Sequence, residues 1–183
     1  MTPNEKPSST LQRFFAGIAE HTFQVQLGVV DPPVVDYLTD LLMRFLRTET
    51  MHRMRSPRGR PLTELTDLFL EASKRIGTAR REIHRHIGDL TLFWTGLFPE
   101  SLRPRGMHEP LDRFVDYCEH GKRAYLIAST IEVYDEEEEV PSEVLERLGR
   151  HFEMCAYGLR EVRREWERQW DEEGPGERPF LIN

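Results

Sequence analysis

Three side chains in the middle of the chain have the types and spacing to do chemistry: Glu82, His86 and Asp89. On a helix, a step of four followed by a step of three keeps all of them on one side. A carboxylate, an imidazole and a second carboxylate on one stripe can bind a divalent metal or relay a proton. Glu49 and His52 add a Glu-x-x-His pair, the spacing that carboxylate-bridged iron bundles use on two helices, with single glutamates on two more. Here the pair occurs once, and no His-x-x-x-His pair accompanies it. Asp89 also has a structural reading. A lone carboxylate at the entrance to an apolar core is costly unless paired. Arg81 and Arg85 are the bases on its own stretch, and Arg85 to Asp89 runs in the less favourable order for a helical ion pair. The expected anchor is therefore a group from another helix, with the hydroxyls of Tyr37, Tyr117 and Tyr125 as candidates.

Other groupings carry weaker chemistry. Arg53, Arg55, Arg58 and Arg60 cluster in RMRSPRGRP with no acid among them. Together with the arginines from Arg75 to Arg85 they offer an anion or nucleic-acid contact, set against a solvated loop that keeps one end of the fold soluble. Attraction of that kind to phosphate is independent of sequence, and no aromatic residue lies within the loop to stack on a base. Cys118 and Cys155 are the only cysteines and are expected at one height on facing helices. They read as small apolar side chains filling a core layer, with a redox pair or half a metal site as the alternative. The run Asp135 to Glu139 reads as a solvated turn, because neighbouring carboxylates repel. No Gly-x-Ser-x-Gly elbow, phosphate loop, dinucleotide fingerprint or zinc-finger spacing is present, which argues against an enzyme.

The elements that position these residues follow from periodicity. Residues 78–98 begin as a charged helix and from Ile87 onward turn apolar on nearly every side, the pattern of a helix running from the surface into a bundle. Pro99 ends it, since the residue before a proline avoids helical angles. Ser9 or Thr10 opens a first helix reaching about Leu27, with Leu11, Phe14, Phe15, Ile18, Thr22, Val25 and Val29 on its inner face. Asp31-Pro32-Pro33 starts a second, roughly 32–54. Pro61 opens a third, ending at Gly77-Thr78. A helix over 111–133 and one continuous helix over 142–170 form a hairpin across the acidic turn. Phe93, Trp94 and Tyr125 read as core, with a ligand crevice as the alternative. Gly88, Gly96, Gly121 and Gly158 mark close approach of helices.

The stretch Gly88-Asp89-Leu90-Thr91-Leu92-Phe93-Trp94-Thr95-Gly96-Leu97-Phe98-Pro99-Glu100, followed by Tyr117 to Tyr125 around Gly121, resembles uncharacterised helical proteins of bacteria. The resemblance covers a small part of the chain. It implies a helical fold and a bacterial source, and it brings no activity and no site residues with it.

Composition bounds the rest. The chain has 183 residues, 38% hydrophobic and 31% charged, with a formal net charge of −7, as expected for one helical domain of ordinary solubility. That domain is expected over 9–171, between a flexible lead-in at 1–8 and a flexible tail at 172–183. The middle of the chain is basic and its end acidic, but the net charge argues against a dedicated nucleic-acid binder. No apolar run is long enough to span a membrane. The start, MTPNEKPSST, has neither the basic nor the apolar region of a secretory leader, and with only two cysteines a cytoplasmic location is the expectation. The expectation is an all-α, mainly antiparallel bundle of five to six helices with a central buried helix. No cofactor is expected unless a divalent metal binds the Glu82, His86, Asp89, Glu49 and His52 set. The function expected is an interaction or scaffold module that meets a protein partner or itself. A metal- or small-ligand-binding bundle is the first alternative and the arginine-borne anion contact the second.

Overall fold

The computed structural model describes residues 10–47, 61–102, 113–133 and 140–173. Glu49, His52, Arg53, Arg55, Arg58, Arg60, the acidic run Asp135 to Glu139, residues 1–8 and those after Glu173 lie outside them. The described residues form an all-α bundle of helices packed on one another, with no strand among them. The helices are α1 (Thr10–Glu20), α2 (Pro32–Arg47), α3 (Pro61–Lys74), α4 (Gly77–Leu97), α5 (Arg113–Thr130), α6 (Ser142–Arg150) and α7 (Phe152–Glu173). They fall into two compact units. One holds α1, α2 and α7 from Gly158 onward; the other holds α3 to α6 and the start of α7 up to Tyr157.

In the first unit, α1 runs on into a π-helical turn, His21–Gln26. A wider turn rotates the stripe that the three-four spacing predicts. Thr22 and Phe23 are buried, whereas Phe14 and Val25, both expected on the inner face, are 36% and 70% exposed. The buried Phe23 ring lies where a side chain on Gly158 of α7 would have to go, so that glycine fixes how closely α7 meets it. Phe15 meets Trp166 edge-on at 5.0 Å. Gly28, at φ +66, turns the chain toward α2. The carbonyl of Asp31 accepts from Val34 and Val35 at 3.1 Å, opening α2 on Pro32.

In the second unit, α3 gives way to α4 through Ile76, which is extended, and Gly77, at φ +54. Every residue of α4 from Ile87 to Leu97 is buried. The helix ends as Phe98 donates to the Trp94 carbonyl at 3.0 Å, and a 3-10 turn follows over Pro99–Leu102. Phe93 and Trp94 pack on Phe98, with ring centroids 5.6 and 5.8 Å away.

The contact of α4 with α5 is set by small residues. Gly88 faces the Tyr125 ring, and Gly121 faces both Thr91 and the Phe152 ring. The buried threonines bond back to their own helix: Thr91 donates to the Ile87 carbonyl at 2.8 Å and Thr95 to the Thr91 carbonyl at 2.8 Å. Those hydroxyls need no water or ligand.

The single helix expected over 142–170 is interrupted. His151, at φ −115 and ψ 30, separates α6 from α7. Hydrogen bonding continues through the break, because His151 donates to the Arg147 carbonyl and accepts from Cys155, both at 2.9 Å. The bend follows Gly149, a weak helix former against which Leu126 packs.

Candidate functional site

The residues singled out by spacing occupy three different environments along α4. Glu82, at the partly exposed end, is bonded to Arg85 at 2.6 Å. His86 is exposed. Asp89 is 1% exposed and accepts a hydrogen bond from the Tyr125 hydroxyl at 2.8 Å. Among the described residues no three His, Cys, Asp or Glu side chains gather as a metal set. Asp89 is thus anchored across helices by a tyrosine, while the guanidinium of Arg85 turns to Glu82. The Tyr125 ring also lies 6.2 Å from Phe152, so its hydroxyl is delivered by a packed core ring. Cys118 and Cys155 are both buried and are not joined by a disulfide.

Two residues emerge from the structure that spacing did not single out. The first is Arg81, buried inside the second unit. Its Nε donates to the Ala128 carbonyl at 3.2 Å, and one terminal nitrogen donates to the Val140 carbonyl at 2.7 Å and to Ser142 Oγ at 3.4 Å. Ala128 belongs to the last turn of α5, where its carbonyl also accepts from the Ile131 N–H at 3.3 Å and the helix dipole favours a cation. One side chain therefore caps α5 and fastens the approach to α6.

The second is His84. It is 4% exposed, and its Nδ1 has no hydrogen-bond partner among the described residues. Burial, followed by the charges of Arg80 and Arg123, pushes the imidazole below its ordinary value, so the neutral ring is favoured. Phe69 of α3 stands 6.3 Å from the His84 ring and meets His120 of α5 edge-on at 5.2 Å.

A sequence signal for both residues existed. Arg81, His84, Gly88, Thr91 and Thr95 follow one another at steps of three, four, three and four, which is a helix-packing seam. Its members are polar or small, so a search for apolar residues passes over it.

Elsewhere the surface is laced with short-range ion pairs, among them Arg75 with Glu71, Arg150 with Glu146 and Arg168 with Glu165, each at 2.6 Å. Lys122 of α5 bonds Glu153 of α7, which raises the pKa of the amine. Among the described residues, no helix is long and apolar enough to cross a membrane. No family model matches the chain, and neither a curated protein nor a solved structure does.

Proposed function

We propose that the chain is a bacterial, cytoplasmic interaction module whose helices present a surface to a protein partner or to a second copy of itself. The observation that carries this reading is Ile76, 87% exposed at the corner between α3 and α4. A large aliphatic side chain standing almost wholly in water gains nothing for the isolated fold, whereas covering it contributes roughly 1.5–3 kcal/mol. Leu70, on the last turns of α3, is also more than half exposed, at 55%. The interior lends support from the other direction, since the buried Thr91, Thr95, Asp89 and Arg81 all bond within the protein. A divalent ion on the Glu82, His86 and Asp89 stripe would compete with Arg85 for Glu82 and with Tyr125 for Asp89.

The test uses Ile76→Asp, a surface change expected to leave stability within about 0.5 kcal/mol. Light scattering over a concentration series reads self-association, and affinity capture reads other partners. The wild type should associate with itself or retain proteins that the variant loses. A monomeric wild type that retains the same proteins as Ile76→Asp refutes the reading.

A further inference from the structure

Among the described residues, α3 packs chiefly on α4, whereas α4 is also held along its length by α5. The joint between α3 and α4 is loosely built. Ile76 is extended, Gly77 stands at φ +54, and no side chain caps the start of α4. The last turn of α3 closes with a long bond, Arg75 N–H to the Ala72 carbonyl at 3.3 Å. No backbone hydrogen bond among the described residues joins α3 to α4. What keeps α3 in place is therefore side-chain packing. Leu65, Phe69 and Ala72 supply it, at steps of four and three on one face of the helix, with Leu65 and Ala72 buried.

The His84 ring lies in that packing. Its Nδ1 is buried and has no hydrogen-bond partner among the described residues. From α3 it faces the Phe69 ring, 6.3 Å away, and Phe69 in turn meets His120 of α5 at 5.2 Å. The charges that bear on His84 are Arg80 of α4 and Arg123 of α5, with no carboxylate among them. Glu82, two residues before it on α4, is engaged by Arg85.

A neutral imidazole fits this place and an imidazolium does not. A buried charge without a partner is costly, and both neighbouring charges repel it. The Phe69 ring lies beyond the roughly 6 Å over which a cation gains from an aromatic face. Only water remains to solvate the cation, and moving α3 with its Phe69 admits water. We propose that α3 is an acid-released flap: when His84 takes up a proton, α3 swings away about Ile76 and Gly77 and bares Leu65 and Ala72, while α4 and α5 stay packed. With α3 closed the ring is held neutral, below its ordinary value, by burial first and then by Arg80 and Arg123. With α3 open it titrates near 6.5, so closure is fully favoured above that pH and is lost as pH falls toward the lower closed-state value. Histidine is the side chain whose ordinary titration falls in this range. The device does not depend on the interaction surface around Ile76, and its test reads α3 alone.

Amide hydrogen exchange followed by NMR between about pH 7.5 and 5.5 supplies that test, with rates corrected for the intrinsic effect of pH. The opening equilibrium of amides in α3 should rise by up to about tenfold per pH unit below about 6.5. Amides from Ile87 to Leu97 should remain at a distinctly slower level. In His84→Gln, checked for folding by circular dichroism, the response of α3 should be lost. The wild type supplies a second reading that needs no variant: the methyl signals of Leu65 and Ala72 should change with the same midpoint as the His84 ring. Equal slopes in the wild type and the folded variant would overturn the flap. So would α3 amides or methyls that respond only together with those of Ile87 to Leu97, since that is unfolding of the whole unit.

Discussion

Replacing glycine by alanine inside a helix should raise stability, yet at Gly121 the geometry predicts the reverse. Alanine is favoured over glycine in a helix interior by about 0.8–1 kcal/mol. At Gly17, in α1, a new Cβ would meet nothing within 4 Å, so Gly17→Ala should gain about that amount. At Gly121 the same atom would sit 2.5 Å from Thr91 Oγ1 and closer still to Cε2 and Cζ of Phe152. Comfortable carbon contacts are about 3.5–4.0 Å, so a ring and a hydroxyl must both retreat. Neither moves cheaply. Phe152 is completely buried, and the Thr91 hydroxyl is held by the Ile87 and Gly88 carbonyls at 2.8 and 2.9 Å. Overpacking of this kind costs about 1–3 kcal/mol. With two obstructed groups the upper end applies, and subtracting the helix gain leaves a loss of about 2 kcal/mol. Urea melts followed at 222 nm read both variants against the wild type. Phe152→Leu, introduced into Gly121→Ala, should cost less than it does alone, because the smaller side chain vacates the contested space. A Gly121→Ala protein as stable as Gly17→Ala would refute the packing argument.

Two further outcomes follow from the same seam. Tyr125→Phe should cost about 1.5–3 kcal/mol, Asp89→Ala more, and the double variant less than their sum by about 1 kcal/mol, with or without a chelator; additive losses, or an Asp89→Ala protein with unchanged melting temperature, would show that the Tyr125–Asp89 bond is no anchor. The folded state holds His84 neutral, while the unfolded chain takes up a proton near 6.5, so this stability is fully present above that pH and is lost as pH falls through the lower folded value. Unfolding free energy measured from about pH 7.5 to 5 should therefore fall more steeply in the wild type than in His84→Gln, and equal slopes would refute the assignment.

What the sequence made legible was periodicity carried by apolar side chains. The run from Ile87 to Leu97 reads as a buried helix because apolar residues occupy nearly every side of it, and Pro99 marks where it ends. Position along that helix also foretells the Asp89 environment, since a carboxylate one residue after Gly88 in such a run has to find a donor. The π turn at His21–Gln26 was not legible, because it depends on how Phe23 settles against Gly158, a contact between residues far apart in the chain. The interruption at His151 was hidden as well. The three-four spacing of Leu145, Leu148, Phe152 and Cys155 passes across it unbroken, and all four side chains are buried on both sides of the bend. Periodicity reports which residues face inward; it is silent on whether the backbone between them bends. The spread of Glu82, His86 and Asp89 over three environments has a related cause. Sharing a face of the helix is not sharing a depth, and α4 passes from solvent to core over those two turns.

Arg81 explains how a core this polar along one seam holds together. An arginine that deep would be a liability if it met only apolar neighbours. It is placed instead at the carbonyl-rich end of α5, where a cation is favoured, and it reaches Val140 and Ser142 at the start of α6. The two flanks of residues 134–139 are thereby fastened to α4 by a single guanidinium. The corner on either side of the acidic run is thus held by Arg81 through Ala128, Val140 and Ser142. The same economy runs down the helix, where Thr91 and Thr95 bond to their own turns and Asp89 meets a ring that packing already holds. Polar residues in the interior of this protein build its architecture. Binding chemistry must then be sought where a large apolar side chain is left uncovered, as at Ile76.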